Sequence, residues 1–341
     1  MTDQTEKARA PELTGGYWLN SEPLTMASLR GGPVLVDFWD YTCVNCIRTL
    51  PYVSEWHRRY SPHGLTVIGV HAPEFSFAKE LDGVKRAIDQ FGIEYPVVMD
   101  NGYSIWQAYA NRYWPAKYLS DHEGYIRYYH FGEGAYEETE RAIQSLIREV
   151  RPEAELPEPM PLVREDDSPS AVCYRVTPEI YLGHQRGQIG NPSGYTPGQS
   201  AVYTDPGLHA EGFIYLQGEW TADEEHVMKP WGPSAELRTG SGGESAATIK
   251  YTAKEANLVM TLLLGKDCRA YLTQDGAPLD KEDAGDDVRF EGDGRAYVDV
   301  TAPGMYRLVN NREIGSHELT LSTETPGLAL YAYTFVSCLV A

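Results

Sequence analysis

The sequence predicts two folded parts joined by a linker: an α/β domain with a mixed sheet flanked by helices, followed by an all-β sandwich. Three observations carry this. Residues 1–150 alternate short apolar runs with amphipathic stretches, the pattern of strands and helices in turn. Residues 151–170 change composition abruptly, with Pro152, Pro157, Pro159, Pro161 and Pro169 interleaved among Glu153, Glu155, Glu158, Glu165, Asp166 and Asp167. That stretch reads as an extended acidic linker. Residues 171–341 repeat short β-rich runs between Gly, Pro and Asp turns, with almost no helical period. A chain of 341 residues with 42% hydrophobic content has enough apolar material for two separate cores.

In the first part, Val34-Leu35-Val36-Asp37-Phe38-Trp39 is β-branched and aromatic and reads as a buried strand. An amphipathic stretch follows from Cys43 to about Tyr60, then an apolar strand Leu65 to His71, a helix-like Phe77 to Phe91 and a strand Tyr95 to Met99. This is a βαβ framework. Ser104 to Tyr109 is a short helical piece, and Trp114-Pro115 a step before two strands, Lys117 to Ser120 and Tyr125 to Phe131, around the turn Asp121 to Gly124. Tyr136 to Val150 closes the domain as a helix. A hairpin after βαβ makes the sheet mixed.

In the last part eight runs are expected as strands: Gly212 to Gln217, Thr248 to Thr252, Leu258 to Leu264, Arg269 to Gln274, Ala296 to Val300, Met305 to Val309, Glu318 to Ser322 and Leu328 to Val336. Trp220, Trp231 and many tyrosines sit among them. Aromatics can stack on sugar rings, but in a sandwich they more often fill the core.

Cys43-Val44-Asn45-Cys46, directly behind the first buried strand, is the pattern with most chemistry in it. Two thiols two residues apart, where a strand hands over to a helix, can open and close a disulfide. A cysteine at a helix N-terminus meets unpaired amides and the positive end of the dipole, which favour the attacking thiolate. Cys43 is therefore expected to be the nucleophile and Cys46 the resolving thiol. A zinc site would need further ligands nearby, yet Cys173, Cys268 and Cys338 are isolated and more than 120 residues away. A purely structural disulfide would close too small a loop to restrict the unfolded chain much. Asp37, an acid inside an apolar strand, is expected to have a raised pKa that suits it to take the Cys46 proton near neutral pH.

Composition excludes other classes. A net charge of −20 with no basic run makes nucleic acid a poor partner. The nine histidines are dispersed without ligand spacing, so neither a metal nor a cofactor is expected. No apolar run approaches the roughly 20 residues of a membrane span, and Met1 to Pro11 lacks a signal-peptide core. Read as written, the chain is expected in the cytoplasm. A peroxidase would want Pro-x-x-x-Thr/Ser-x-x-Cys, where this chain has Val36 and Asp40 before Cys43.

Val36-Asp37-Phe38-Trp39 ahead of the cysteine pair resembles thioredoxin, and Asp37 lies six residues before Cys43, where thioredoxins carry a buried proton-relaying carboxylate. Leu24 to Gly31 and the insert Val70-His71-Ala72-Pro73-Glu74 more closely resemble the TlpA/ResA-type branch. The wording Phe38 to Cys46, with Asn111 to Tyr118 and Phe131-Gly132-Glu133-Gly134, is similar to the DipZ-type thioredoxin-like proteins, as is the β-rich tail ending Tyr331 to Phe335. The resemblance implies a thioredoxin-like domain over 1–150, the linker over 151–170 and a jelly-roll-like domain similar to carbohydrate-binding modules over 171–341. It implies Glu74 near the reacting sulfurs, Pro115 in cis facing them, and Trp39, Trp114 and Pro115 at the substrate side.

The expected activity is thiol-disulfide exchange on protein or small-molecule disulfides. The electron donor is left open between a thioredoxin-reductase-like protein and a CcdA-type membrane relay. Val44 and Asn45 bring no charge that fixes the direction of exchange. DipZ-type proteins often work outside the cytoplasm, which the resemblance adds as a second compartment. The alternative is a non-catalytic binding or scaffold protein whose β domain takes carbohydrate or a protein partner.

Overall fold

The first part carries strands β1 (Tyr17–Leu19), β2 (Val34–Trp39), β3 (Thr66–His71), β4 (Val97–Met99), β5 (Ala116–Ser120) and β6 (Ile126–Phe131), with helices α1 (Val44–Tyr60), α2 (Leu81–Phe91), α3 (Ser104–Ala108) and α4 (Tyr136–Val150). They come from a computed structural model that describes residues 8–168, 171–230, 245–263, 265, 267–336 and 338–339. The chain divides between Asp167 and Ser168 into two compact units.

The sheet of the first unit runs β1-β4-β3-β2-β5-β6. Every residue of β2 is buried, because parallel β3 and antiparallel β5 flank it and both faces are covered. One face packs on Leu50, Val53, Trp56 and Tyr60 of α1 and on Ile143, Leu146 and Ile147 of α4. The other covers Val36 and Phe38 with Ile105, Tyr109 and Tyr118. The architecture is the thioredoxin-like mixed sheet with helices. Gly92 ends α2 with a φ of 61°, a left-handed turn that glycine adopts at low cost.

Two local expectations change. The helix-like run from Phe77 breaks: Ser76–Lys79 is a 3-10 turn, and Glu80 is extended before α2. Stacking of Phe75 on Phe77, centroids 5.9 Å apart, fixes that first turn from outside the helix. Strand β1, only three residues long, has no readable period and exists because Trp18 pairs with Val98.

The second unit is all-β, with an eleven-stranded sheet that partly closes on itself around one core. The runs expected as Thr248 to Thr252 and Leu258 to Leu264 belong to one strand, Ser245–Leu262, while Leu264 lies outside the described residues. Likewise Met305 to Val309 and Glu318 to Ser322 belong to Gly304–Thr323. Register shifts between Ala253 and Glu255 and between Ala256 and Asn257 bend this long pair. The bend lets Ser245–Leu262 pair with Ile214–Ala222 at one end and with Leu328–Val336 at the other.

Candidate active site

Cys43 is the N-cap of α1, in extended backbone geometry, and its Sγ accepts the Cys46 N–H at 3.2 Å. This is the contact through which a helix start favours a thiolate. Cys43 keeps partial exposure, whereas Cys46 is 1% exposed beneath it. Both are free thiols. Burial pushes the Cys43 thiol up, the Cys46 hydrogen bonds pull it down, and the charges of Asp40 and Glu74 push it up again. Burial lifts the Cys46 thiol further, with Cys43 and Asp37 adding to it.

Asp37, 1% exposed at the middle of β2, is pushed up to about 7 by burial, against the pull of Lys117. Neither of its carboxyl oxygens has a hydrogen-bond partner among the described residues. Its cross-strand partner on one side is Gly69 and on the other Lys117. Lys117 is itself fully buried, and its Nζ donates to the Gly132 carbonyl at 3.2 Å. Burial lowers the Lys117 ammonium, and Asp37 opposes that. The empty side of Gly69 is filled: a Cβ there would lie 2.9 Å from both Trp39 Nε1 and Tyr95 Cε2. Tyr95, fully buried, is pushed well up by burial and by the charges of Asp37 and Cys46. An acid, a lysine and a phenol thus surround the route from Cys46 inward.

The segment after β3 closes the site from above. Ala72 N donates to Trp39 O at 3.0 Å, and Trp114 Nε1 donates to Ala72 O at 2.9 Å. Glu74 N donates to Asp40 Oδ2 at 2.7 Å. Glu74 is therefore held beside Cys43, and its charge bears on the sulfur. The Trp114–Pro115 peptide is cis. Trp114 is half-buried with its ring 4.2 Å from that of Trp106, and Pro115 is buried at the start of β5. Trp39 does not lie at a substrate surface: it is 0% exposed, with its ring edge-on to His71 at 5.2 Å, so it acts on the site only through packing.

Four residues that sequence reasoning passed over belong here: Asp40, His71, Tyr95 and Lys117. The stretch 151–167, read from the sequence as an extended linker, is part of this unit: Arg48, in α1, pairs with Glu133 at 2.9 Å and with Asp166 at 2.6 Å, and Tyr52 donates to Asp167 at 2.6 Å. In the second unit Trp220 is fully buried and donates to Gln217 O at 3.0 Å, so it offers no stacking face for a sugar. Trp231 lies outside the described residues. Among the described residues no group of three or more His, Cys, Asp or Glu could hold a metal ion. No helix of the described residues is long and apolar enough to cross a membrane.

Comparison with known proteins adds a family. Residues 6–129 match the AhpC/TSA family, and residues 177–335 match a thioredoxin-like C-terminal domain. Protein DipZ of Mycobacterium bovis is 38% identical over 258 residues, which is 74% of this chain and 35% of that protein. The chain thus spans about a third of the length of that relative. The thiol-disulfide oxidoreductase ResA of Halalkalibacterium halodurans is 31% identical over 40% of this chain and 72% of its own. The thiol-disulfide oxidoreductase YkuV of Bacillus subtilis is 29% identical over 41% of this chain and 95% of its own.

Proposed function

The chain belongs to the thioredoxin-like proteins of the TlpA/ResA type, and on that premise we propose that it is an oxidoreductase that exchanges dithiol for disulfide through Cys43 and Cys46. The observation that carries this is the pair itself: a partly exposed Cys43 capping α1, over a buried Cys46 whose N–H it accepts at 3.2 Å. Cys43 loses its proton and attacks one sulfur of a substrate disulfide, forming a mixed disulfide and releasing the other sulfur as a thiolate. Asp37 takes the Cys46 proton, and the Cys46 thiolate attacks Cys43, giving the protein disulfide and the second substrate thiol. Two electrons pass from the pair to the substrate, and the reverse sequence oxidises a dithiol. A carboxyl poised at about 7 supports this role, since it both accepts and returns a proton at neutral pH.

Disulfide-bearing proteins are the proposed substrates, with Trp114 and Glu74 at the surface that meets them and the buried Pro115 next to Trp114. The likeness to DipZ favours action outside the cytoplasm, where such disulfides persist. Equilibration with glutathione or dithiothreitol, read by alkylation of Cys43 and Cys46, tests the proposal. The pair is expected to interconvert fully and reversibly as a two-electron couple. A pair that stays reduced or oxidised across the whole range of buffers rules it out.

A further inference from the structure

Asp40 is 0% exposed and lies three residues before the nucleophile, yet the exchange chemistry above makes no use of it. Its carboxylate gathers three donors: Thr42 N at 3.1 Å, Thr42 Oγ1 at 2.9 Å and Glu74 N at 2.7 Å. Its backbone carbonyl accepts the Cys43 N–H at 3.2 Å. The loop that carries the nucleophile and the segment that carries Glu74 therefore meet on one side chain. That segment is in turn held by Trp114, next to Pro115, through Ala72 O. Behind the carboxylate sits His71, also 0% exposed, with Nε2 3.5 Å from Asp40 Oδ1 and its ring stacked on Tyr41 at 5.5 Å.

We propose that Asp40 is a positioning residue for Cys43: it braces the nucleophile loop to the Glu74 segment, and its buried negative charge opposes the thiolate that the helix end favours. The three donors on Asp40 are neutral, so they orient the charge without cancelling it. The charges that bear on Cys43 are those of Asp40 from the β2–α1 loop and Glu74 from the segment after β3, while Cys46 of α1 acts on it through hydrogen bonds in the opposite sense. Asp40 itself faces His71 of β3. The expected consequence is a Cys43 thiol that reacts more slowly in the parent than in a variant without the Asp40 charge.

This rests on Cys43 being the nucleophile, and the test separates the two claims. Iodoacetamide is reacted with the reduced protein across pH 6–10, and the modified cysteine is mapped. If Cys43 is not the faster-labelled thiol in the parent, the exchange reading fails first. Given that it is, Asp40→Asn is expected to move the Cys43 profile to lower pH and to raise its rate at pH 7 at least threefold. Thr42→Val keeps the charge and loosens the brace. It should leave the profile in place while slowing reduction of a protein disulfide such as insulin at least threefold. A D40N profile superimposed on the parent's overturns the charge claim, and unchanged insulin reduction in T42V overturns the brace. Should D40N not fold, the parent decides: the 13C resonance of the Asp40 carboxyl must step as Cys43 titrates in the reduced protein and not in the oxidised one. A flat resonance overturns the proposal.

Discussion

Replacing Asp37 by Asn should stabilise the first unit, and by an amount that depends on pH in a calculable way. The parent carboxyl moves from an ordinary 3.8 to about 7 on folding, chiefly because β2 buries it. Between those values the folded state holds a proton that the unfolded chain has released, so folding takes up a proton. Stability of the parent therefore falls as pH rises across that window, at up to about 1.4 kcal/mol per pH unit. The loss is complete above about 7 and amounts to roughly 4 kcal/mol. Asparagine has the same shape and never ionises. The advantage of Asp37→Asn over the parent should thus grow by roughly 4 kcal/mol from pH 4 to pH 8 and then level off. The assay is urea unfolding of the whole chain with the Cys43–Cys46 pair oxidised at each pH, so that neither of these two thiols titrates. Pulse-labelled amide exchange of β2 and β3 peptides reports the first unit alone. An advantage that is flat with pH refutes the reasoning, because it means Asp37 is ionised in both states or buried in neither.

Other consequences follow from the same neighbourhood. Asp37→Asn should also slow closure of the mixed disulfide by about 10²-fold at neutral pH, the usual size of a lost general base, seen by stopped-flow release of the second substrate thiol. Lys117→Met removes the cation that pulls Asp37 down, so the pH midpoint of that closing step should move upward; an unchanged midpoint would show that Lys117 does not act on Asp37. Gly69→Ala places a methyl 2.9 Å from Trp39 and Tyr95 and should cost about 1–3 kcal/mol of stability by overpacking, measured by the same unfolding assay. Arg48→Ala leaves Glu133 and Asp166 without their shared cation. Both acids retain some solvent contact, so the expected loss is about 1–3 kcal/mol, with faster proteolysis within 151–167 as a second readout.

Much of the first unit was legible in the sequence, for physical reasons that can be named. β2 reads as a strand because both its faces are buried, leaving an almost uninterrupted apolar run. α4 reads with its observed ends because fifteen residues hold one amphipathic period. Cys43 and Cys46 announce themselves by spacing alone. The features that escaped depend on register. Lys117 looks like the solvated start of a hairpin strand until antiparallel pairing sets it opposite Asp37 in the core. Asp40 looks like a loop acid until its carboxylate finds the amide of Glu74, thirty-four residues away. The resemblance implies Trp39 at the substrate side, but the side chain is fully buried in β2. In the second unit the four short runs along Ser245–Leu262 and Gly304–Thr323 were separated by polar residues at the bend, Lys254-Glu255 and Asn310 to Gly315. A bulge carries the strand through them, and no local pattern distinguishes it from a turn.

The central claim is the division of labour between Cys43 and Cys46, and trapping tests it most directly. Cys46→Ala and Cys43→Ala variants are each reacted with a protein disulfide, and the adducts are digested and mapped by mass spectrometry. A long-lived mixed disulfide is expected on Cys43 in Cys46→Ala, with little adduct in Cys43→Ala. Adducts that form on Cys46 at a comparable rate, or none on Cys43, would contradict that claim.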